Sequence, residues 1–145
     1  MFFGGTTALR AADETTPQAG SEVYVPLADI DLPAKFDSQD YDLKHLGARV
    51  DKARERHDAA TLADEAFVLF RVEEVTGRKI KIVTGLGLLK EATAMATTEK
   101  DPRGLRACAK VWENTTYGMG DSRRADELRH QASAFEAEKK RTPNK

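Results

Sequence analysis

Glu127-Leu128-Arg129-His130 sets a carboxylate and an imidazole three residues apart. On a helix that is half of the ligand set of a carboxylate-bridged di-iron bundle, which needs a second Glu-x-x-His and two more inward glutamates. The other histidines, His45 and His57, have no glutamate three residues before them. Leu128 and Ala132 set the apolar face of the same helix, so His130 falls towards its polar side. A solvated surface pair is the reading the pattern favours. The alternative is a small helical metal-binding protein or enzyme that converges Glu127, His130 and a glutamate such as Glu73 in its interior.

Other chemistry-bearing residues are equally incomplete. Gly85-Leu86-Gly87 opens a helix and could offer N–H groups to a phosphate, but the third glycine of a dinucleotide fingerprint and the Gly-Lys-Ser/Thr of a P-loop are missing. A tight helix entry accounts for both glycines. Asp29, Asp31, Asp37, Asp40 and Asp42 do not form the spaced loop of a calcium site ending in glutamate, and turn and cap use is the default. Cys108 shares an apolar stripe with Leu105 and Trp112, which reads as a small buried hydrophobe. No serine sits in a nucleophile elbow. No cofactor is implied, and an enzyme is the less favoured class.

Partner-binding residues are easier to nominate. Arg103, Arg106 and Lys110 recur at i, i+3 and i+7, and Arg123 and Arg124 open the following helix. Between them the turn Tyr117-Gly118-Met119-Gly120 exposes an aromatic and a methionine at a loop tip, where partners are often contacted. Together Arg103, Arg106, Lys110, Tyr117, Met119, Arg123 and Arg124 make a surface for an acidic or phosphate-bearing partner, set against the plainer reading of a solvated helix face.

The whole chain bounds these options. Its 145 residues, 40% hydrophobic and 32% charged, suit one soluble domain with a real core. The net charge of −1 is uneven: 8 acids face 2 bases in residues 1–43, 11 bases face 10 acids in 44–101, and 10 bases face 6 acids in 102–145. That asymmetry is milder than the concentrated basic stripe of a nucleic-acid binder, so no nucleic acid is expected. No apolar run approaches the roughly 20 residues of a membrane span. A single cysteine excludes an intramolecular disulfide and leaves the redox compartment open. Residues 1–21 read as a disordered tail or the remnant of a signal peptide: small residues precede Asp13, but a basic n-region is missing. A cytoplasmic chain is favoured, with an exported one as the alternative.

The elements that must position these residues are helices, and the expected fold is all-α, about five helices in antiparallel hairpins behind an extended acidic arm. The arm covers residues 22–40; Pro33 and its aspartates argue against a helix, while Ile30, Leu32 and Phe36 pin it to the body. The helical domain covers 41–140, and 141–145 form a polar tail. Its first helix, about Tyr41 to Arg56, carries Leu43, Leu46, Val50 and Ala53 on one stripe. Asp58 to Gly77 is the central helix, because Leu62, Ala66, Leu69 and Phe70 make one face and Phe67, Val68 and Val72 add others. Residues 78–83 alternate as a short strand, to pair with Val23–Val25, or as an extended connector. Further helices run from about Thr84 to Thr98, from Asp101-Pro102 to about Thr116, and from Asp121 or Ser122 to about Lys140.

Leu43, Leu46, Gly47, Val50, Ala59, Ala63 and Ala66 fall on the packing positions of a helical hairpin that resembles a tetratricopeptide repeat. In a second hairpin Trp112, Gly120-Asp121, Ala125 and Ala132 do the same. Departures are Glu113 where a small residue belongs, Arg129 and Ala63 where large ones do, and no third unit between the pairs. The resemblance spans about two thirds of the chain. It implies a tetratricopeptide-like stack whose concave face binds a peptide segment of another protein, and it implies no chemistry. A non-catalytic protein-interaction module is therefore the expected function, with an accessory subunit beside a permanent partner as the blander variant.

Overall fold

The computed structural model describes residues 25–141; the signal-like segment, Val23 and Tyr24, and the last four residues of the polar tail lie outside them. The described residues form an all-α fold of six helices with no strand: α1 (Leu32–Phe36), α2 (Tyr41–Arg56), α3 (Ala59–Thr76), α4 (Gly85–Thr98), α5 (Pro102–Glu113) and α6 (Ser122–Arg141). Among them no helix is long and apolar enough to cross a membrane.

Local chemistry fixes most boundaries. Asp40, Asp58, Thr84 and Asp101 each accept a backbone N–H of the first turn they precede, at 2.8–3.1 Å, which satisfies a donor the helix leaves orphaned. Gly77 closes α3 in the left-handed region at φ 69°. α5 stops at Glu113, short of Thr116, because the Asn114 side-chain oxygen accepts from the N–H of Thr116 and Tyr117 and turns the chain. Residues 78–83 form an irregular connector that bends at Lys81 and Ile82, not a strand.

One expectation is corrected in the arm. Pro33 does not exclude a helix: it lies in the first turn of α1, where its missing N–H is not needed, and Asp31 caps that turn through Ala34 N–H at 3.1 Å. Leu32 and Phe36 are buried, so the arm is pinned as their apolarity requires. Leu27 is pinned too. It lies over Gly47 of α2, and the N–H groups of Leu27 and Ala28 donate to the Asp51 carboxylate at 2.8–3.0 Å. A Cβ on Gly47 would come within 2.4 Å of the Leu27 carbonyl oxygen. Gly47→Ala is expected to cost about 1–2 kcal/mol despite alanine's better helix propensity, and limited proteolysis should then cut ahead of α2 faster than in the parent.

α3 is the central helix. It packs on α1, α2, α4 and α5, and Leu62, Ala63, Ala66 and Leu69 are fully buried. Directions follow from the contacts between ends. Arg49 and Arg71 tie late α2 to early α3 and early α2 to late α3. Arg106 reaches Glu136 and Arg129 reaches Glu113, so α5 and α6 are antiparallel. α3 and α5 run parallel, since Arg103 at the start of α5 faces Asp58 at the start of α3 and Val111 lies near Phe67. Among the described helices α6 approaches α5 alone, with Lys100 of the α4–α5 turn reaching its Glu138 and Phe135, whereas α3 packs more widely on α4 than on α2. α3–α4 and α5–α6 are thus the most extensively packed hairpins, and α2–α3 is a further antiparallel pair.

Burial also reaches charged groups. Glu65 accepts from Arg49 Nε at 2.7 Å, and Glu91 accepts from Arg54 Nε at 2.7 Å and Nη2 at 3.0 Å. Glu65 therefore serves a pair that crosses from α3 to α2. α2 and α4 have no close backbone approach among the described residues; the Arg54–Glu91 pair links them, and the residues that cap their C-termini, His57 and Glu99, pair as well.

Candidate partner-binding groove

Where α3 and α5 run side by side, their outer faces leave a groove of about 450 Å³. α3 contributes Asp64, Phe67 and Val68; α5 contributes Ala107, Lys110, Val111 and Asn114. The spacing explains the lining. Arg103, Ala107, Lys110 and Asn114 follow one another at i, i+4, i+7 and i+11, which keeps them on one face of α5. On α3, Phe67 and Val68 are the flanking apolar positions that the buried stripe leaves half-exposed.

The loop after α5 walls one end. Asn114 fixes the Tyr117 backbone, and the Tyr117 ring meets Phe67 edge-on with centroids 5.7 Å apart. Gly118 permits this turn, because a Cβ there would lie 2.1 Å from the Val111 carbonyl oxygen. Arg103, one turn ahead of Ala107 on α5, lies outside the lining, its guanidinium 3.8 Å from Asp58. Protein crowded around Asp64 pushes its carboxyl above the ordinary range, and Arg103, then Lys110, oppose that rise.

The expected partner-binding set therefore divides. Lys110 lines the groove and Tyr117 stacks edge-on with its Phe67, while Arg103 lies further along the same face of α5, paired with Asp58. Arg106 turns to the neighbouring face and is bonded to Ser133 and Glu136 of α6. Arg124 lies over the Trp112 ring at 5.7 Å and donates to Glu127 at 3.2 Å. Arg123 and Met119 are exposed beyond the groove. Phe67, Val68, Ala107, Val111 and Asn114 were not singled out as site residues. The i, i+4, i+7, i+11 row on α5 marks Ala107 and Asn114, and the flanking apolar positions of α3 mark Phe67 and Val68; Val111 has no such signal in the sequence.

The alternative chemistries are placed elsewhere. His130 is exposed and Glu127 faces Arg123 and Arg124. Glu73 is buried at the end of α3, a helix that does not touch α6, so Glu73 and His130 do not converge. Among the described residues no three of His, Cys, Asp and Glu gather as a metal cluster. The Gly85 and Gly87 N–H groups are taken by Glu73 and Thr84, and the bare Gly85 Cα lets Phe70 close on it. A second hollow of about 460 Å³, lined by Lys35 and Ile80 to Ile82, contains no aromatic and no acid.

Two buried groups carry predictions. Desolvation pushes the Glu73 carboxyl up, against the Gly85 N–H that lowers it. A raised folded value means that the charged form disfavours the fold, so this group's contribution falls as pH climbs from the unfolded value through the folded one. Glu73→Gln, which keeps the acceptor, should raise urea stability near neutral pH and leave it unchanged below about pH 4, where both forms are neutral. Cys108 is fully buried, and burial pushes its thiol up to about 12. It should resist iodoacetamide at neutral pH in the native protein and react fully once urea unfolds it.

No family model, curated protein or solved structure matches the chain.

Proposed function

We propose that this protein is a non-catalytic interaction module that holds a peptide segment of a partner protein between α3 and α5. The observation that carries the reading is the groove itself, lined between two parallel helices by apolar Phe67, Val68, Ala107 and Val111 and by polar Asp64, Lys110 and Asn114. Binding surfaces for protein segments have this anatomy. Parallel α3 and α5 backed by α4 and α6 also suit the tetratricopeptide-like reading, in which the first helices of successive hairpins line the concave face. Half-buried Phe67 and Val68 have room to lose more water to an incoming side chain, which supplies the driving force.

The test is selection of a random dodecapeptide display library on the full chain, followed by amide NMR mapping of a winning peptide. Enrichment is expected, with the largest shifts at Val68, Ala107 and Lys110 and loss of binding in Ala107→Trp, which fills the groove. No enrichment, or shifts centred on α2 or the outer face of α6, would overturn the reading.

A further inference from the structure

The second hollow has a chemistry that the groove does not share. Its lining is Lys35, from the last turn of α1, with Ile80, Lys81 and Ile82 from the connector between α3 and α4. Two bases and two apolar side chains meet there without an acid, whereas the groove sets Lys110 against Asp64. Both lysines are exposed and have no ion-pair partner among the described residues. Arg78 and Lys79 precede the lining residues in the same connector and are exposed as well. The acids around the hollow are engaged elsewhere or stand outside it. Asp37 is 3.9 Å from Arg78, and Glu73, the carboxylate that Lys79 faces, is buried and holds the Gly85 N–H. Glu74 is exposed on α3 and is not part of the lining. Ile82 is 38% exposed, and Ile80 buries only part of its surface against the core.

We propose that this hollow binds an anionic lipid of a membrane surface, its phosphate between Lys35 and Lys81 and its upper acyl carbons on Ile80 and Ile82. The lining narrows the class of occupant. Ammonium groups donate and cannot accept, so the side chains of the hollow answer an anion and repel a cation. Without an aromatic it has no platform on which a nucleobase would stack. A free phosphate would leave both isoleucines in water, and an uncharged lipid would leave both ammonium groups unanswered. A lipid phosphate with its attached chains uses all four residues. Alternation in Arg78-Lys79-Ile80-Lys81-Ile82 sets each isoleucine beside a base. The isoleucines can therefore enter the boundary between headgroups and chains while the lysine stems bend back to the phosphates. No described helix is long and apolar enough to span a bilayer, so the contact is peripheral. Each base close to an anionic leaflet strengthens binding about fivefold, and such binding is reversible and weakened by salt. No residue lines both the hollow and the groove, so the lipid site stands independently of the peptide reading.

The experiment is co-sedimentation of the full chain with vesicles, phosphatidylcholine alone against an equal mixture of phosphatidylcholine and phosphatidylglycerol. The chain is expected to bind the mixed vesicles, to ignore the neutral ones, and to be released progressively as salt rises. Lys81→Glu and Lys35→Glu, on separate elements, should each weaken binding at least about fivefold. Lys110→Glu makes the same charge change at an exposed base of the groove and should weaken it far less. Ile82→Ser should remove the binding that persists at high salt. All four positions are exposed, and circular-dichroism melts matching the parent's show that the variants are folded. Equal losses in Lys81→Glu and Lys110→Glu would reveal a diffuse electrostatic contact and overturn the site. Binding to neutral vesicles, or none to the mixed ones, would overturn it as well. So would displacement by inorganic phosphate at the concentration of lipid phosphate, which would leave a site for a simple anion. A soluble acidic peptide that bound through Lys81 where vesicles failed would assign the hollow to a protein partner instead.

Discussion

Arg54→Ala should cost about 3–5 kcal/mol of unfolding free energy, the largest loss expected of any polar substitution in this domain. Its partner Glu91 has a side chain only 4% exposed, and Arg54 itself is 14% exposed. The guanidinium closes a fork on the carboxylate, Nε to one oxygen and Nη2 to the other, while Nη1 donates to the Val25 carbonyl at 2.9 Å. Removing it strands a carboxylate in the protein interior and frees the start of the arm in the same step. A buried ion pair is itself weak evidence for stability, because desolvating two charges offsets most of their attraction; what is costly is leaving one of them alone. The double variant Arg54→Met/Glu91→Leu, similar in volume and without charge, is therefore expected to regain most of the loss. Arg54→Lys should recover little, since an ammonium cannot span both oxygens. Urea titrations of the four proteins decide it. A loss under about 1 kcal/mol in Arg54→Ala would mean that Glu91 reaches water and that α2 and α4 are held by other contacts.

That pair also marks the limit of what the sequence discloses. Helix boundaries were legible because their causes are local. Asp40, Asp58 and Asp101 cap the turns that follow them, and Gly77 has the one conformation that ends α3 without strain. The stripes were legible for the same reason: Leu43, Leu46 and Val50, or Ala125, Leu128 and Ala132, are both periodic in sequence and buried in the fold. Phe67, Val68 and Val72 announced that α3 must meet several neighbours, and it does. What the pattern did not contain was which neighbours. Glu91 stands on a helix 37 residues from Arg54, and nothing in either local stretch names the other. Glu65 is the same case, because charge on a helix reads as solvated unless its partner, here Arg49 of α2, is seen. The site suffered in the same way. Arg103, Arg106 and Lys110 are one group in sequence, but α6 claims Arg106 through Glu136 and Asp58 pairs with Arg103, and only the packed helices separate Lys110, left at the groove, from the other two. Pro33 shows the opposite error, a residue judged by its interior habit when it stands in a first turn.

Gly104→Leu should lower stability by about 3 kcal/mol and reduce peptide binding with it, because Gly104 lies where three helices meet. A Cβ at this position would approach Ala59 Cβ of α3 to 2.9 Å, Ala96 Cβ of α4 to 3.1 Å and the Asp101 carboxylate to 2.6 Å. Two of those neighbours are alanines, already the smallest side chains, so they cannot yield by rotating. The third is the cap of α5, whose bond to Gly104 N–H at 3.1 Å would be broken as it moved, a loss of about 1 kcal/mol in its own right. Helix propensity acts the other way, since leucine is favoured over glycine by somewhat under 1 kcal/mol, so overpacking has to exceed that gain before any loss appears. The close approach of α3 and α5 at Ala59 and Gly104 sets how far apart their outer faces lie at Asp64, Phe67, Ala107 and Lys110. A wedge at the junction should splay the groove, so that binding weakens more than tenfold even at temperatures where the variant remains folded. Gly104→Ala, adding only the Cβ, should show a smaller version of both effects. A variant that lost stability but bound the selected peptide at parental affinity would separate the junction from the groove and place the binding surface away from α3 and α5.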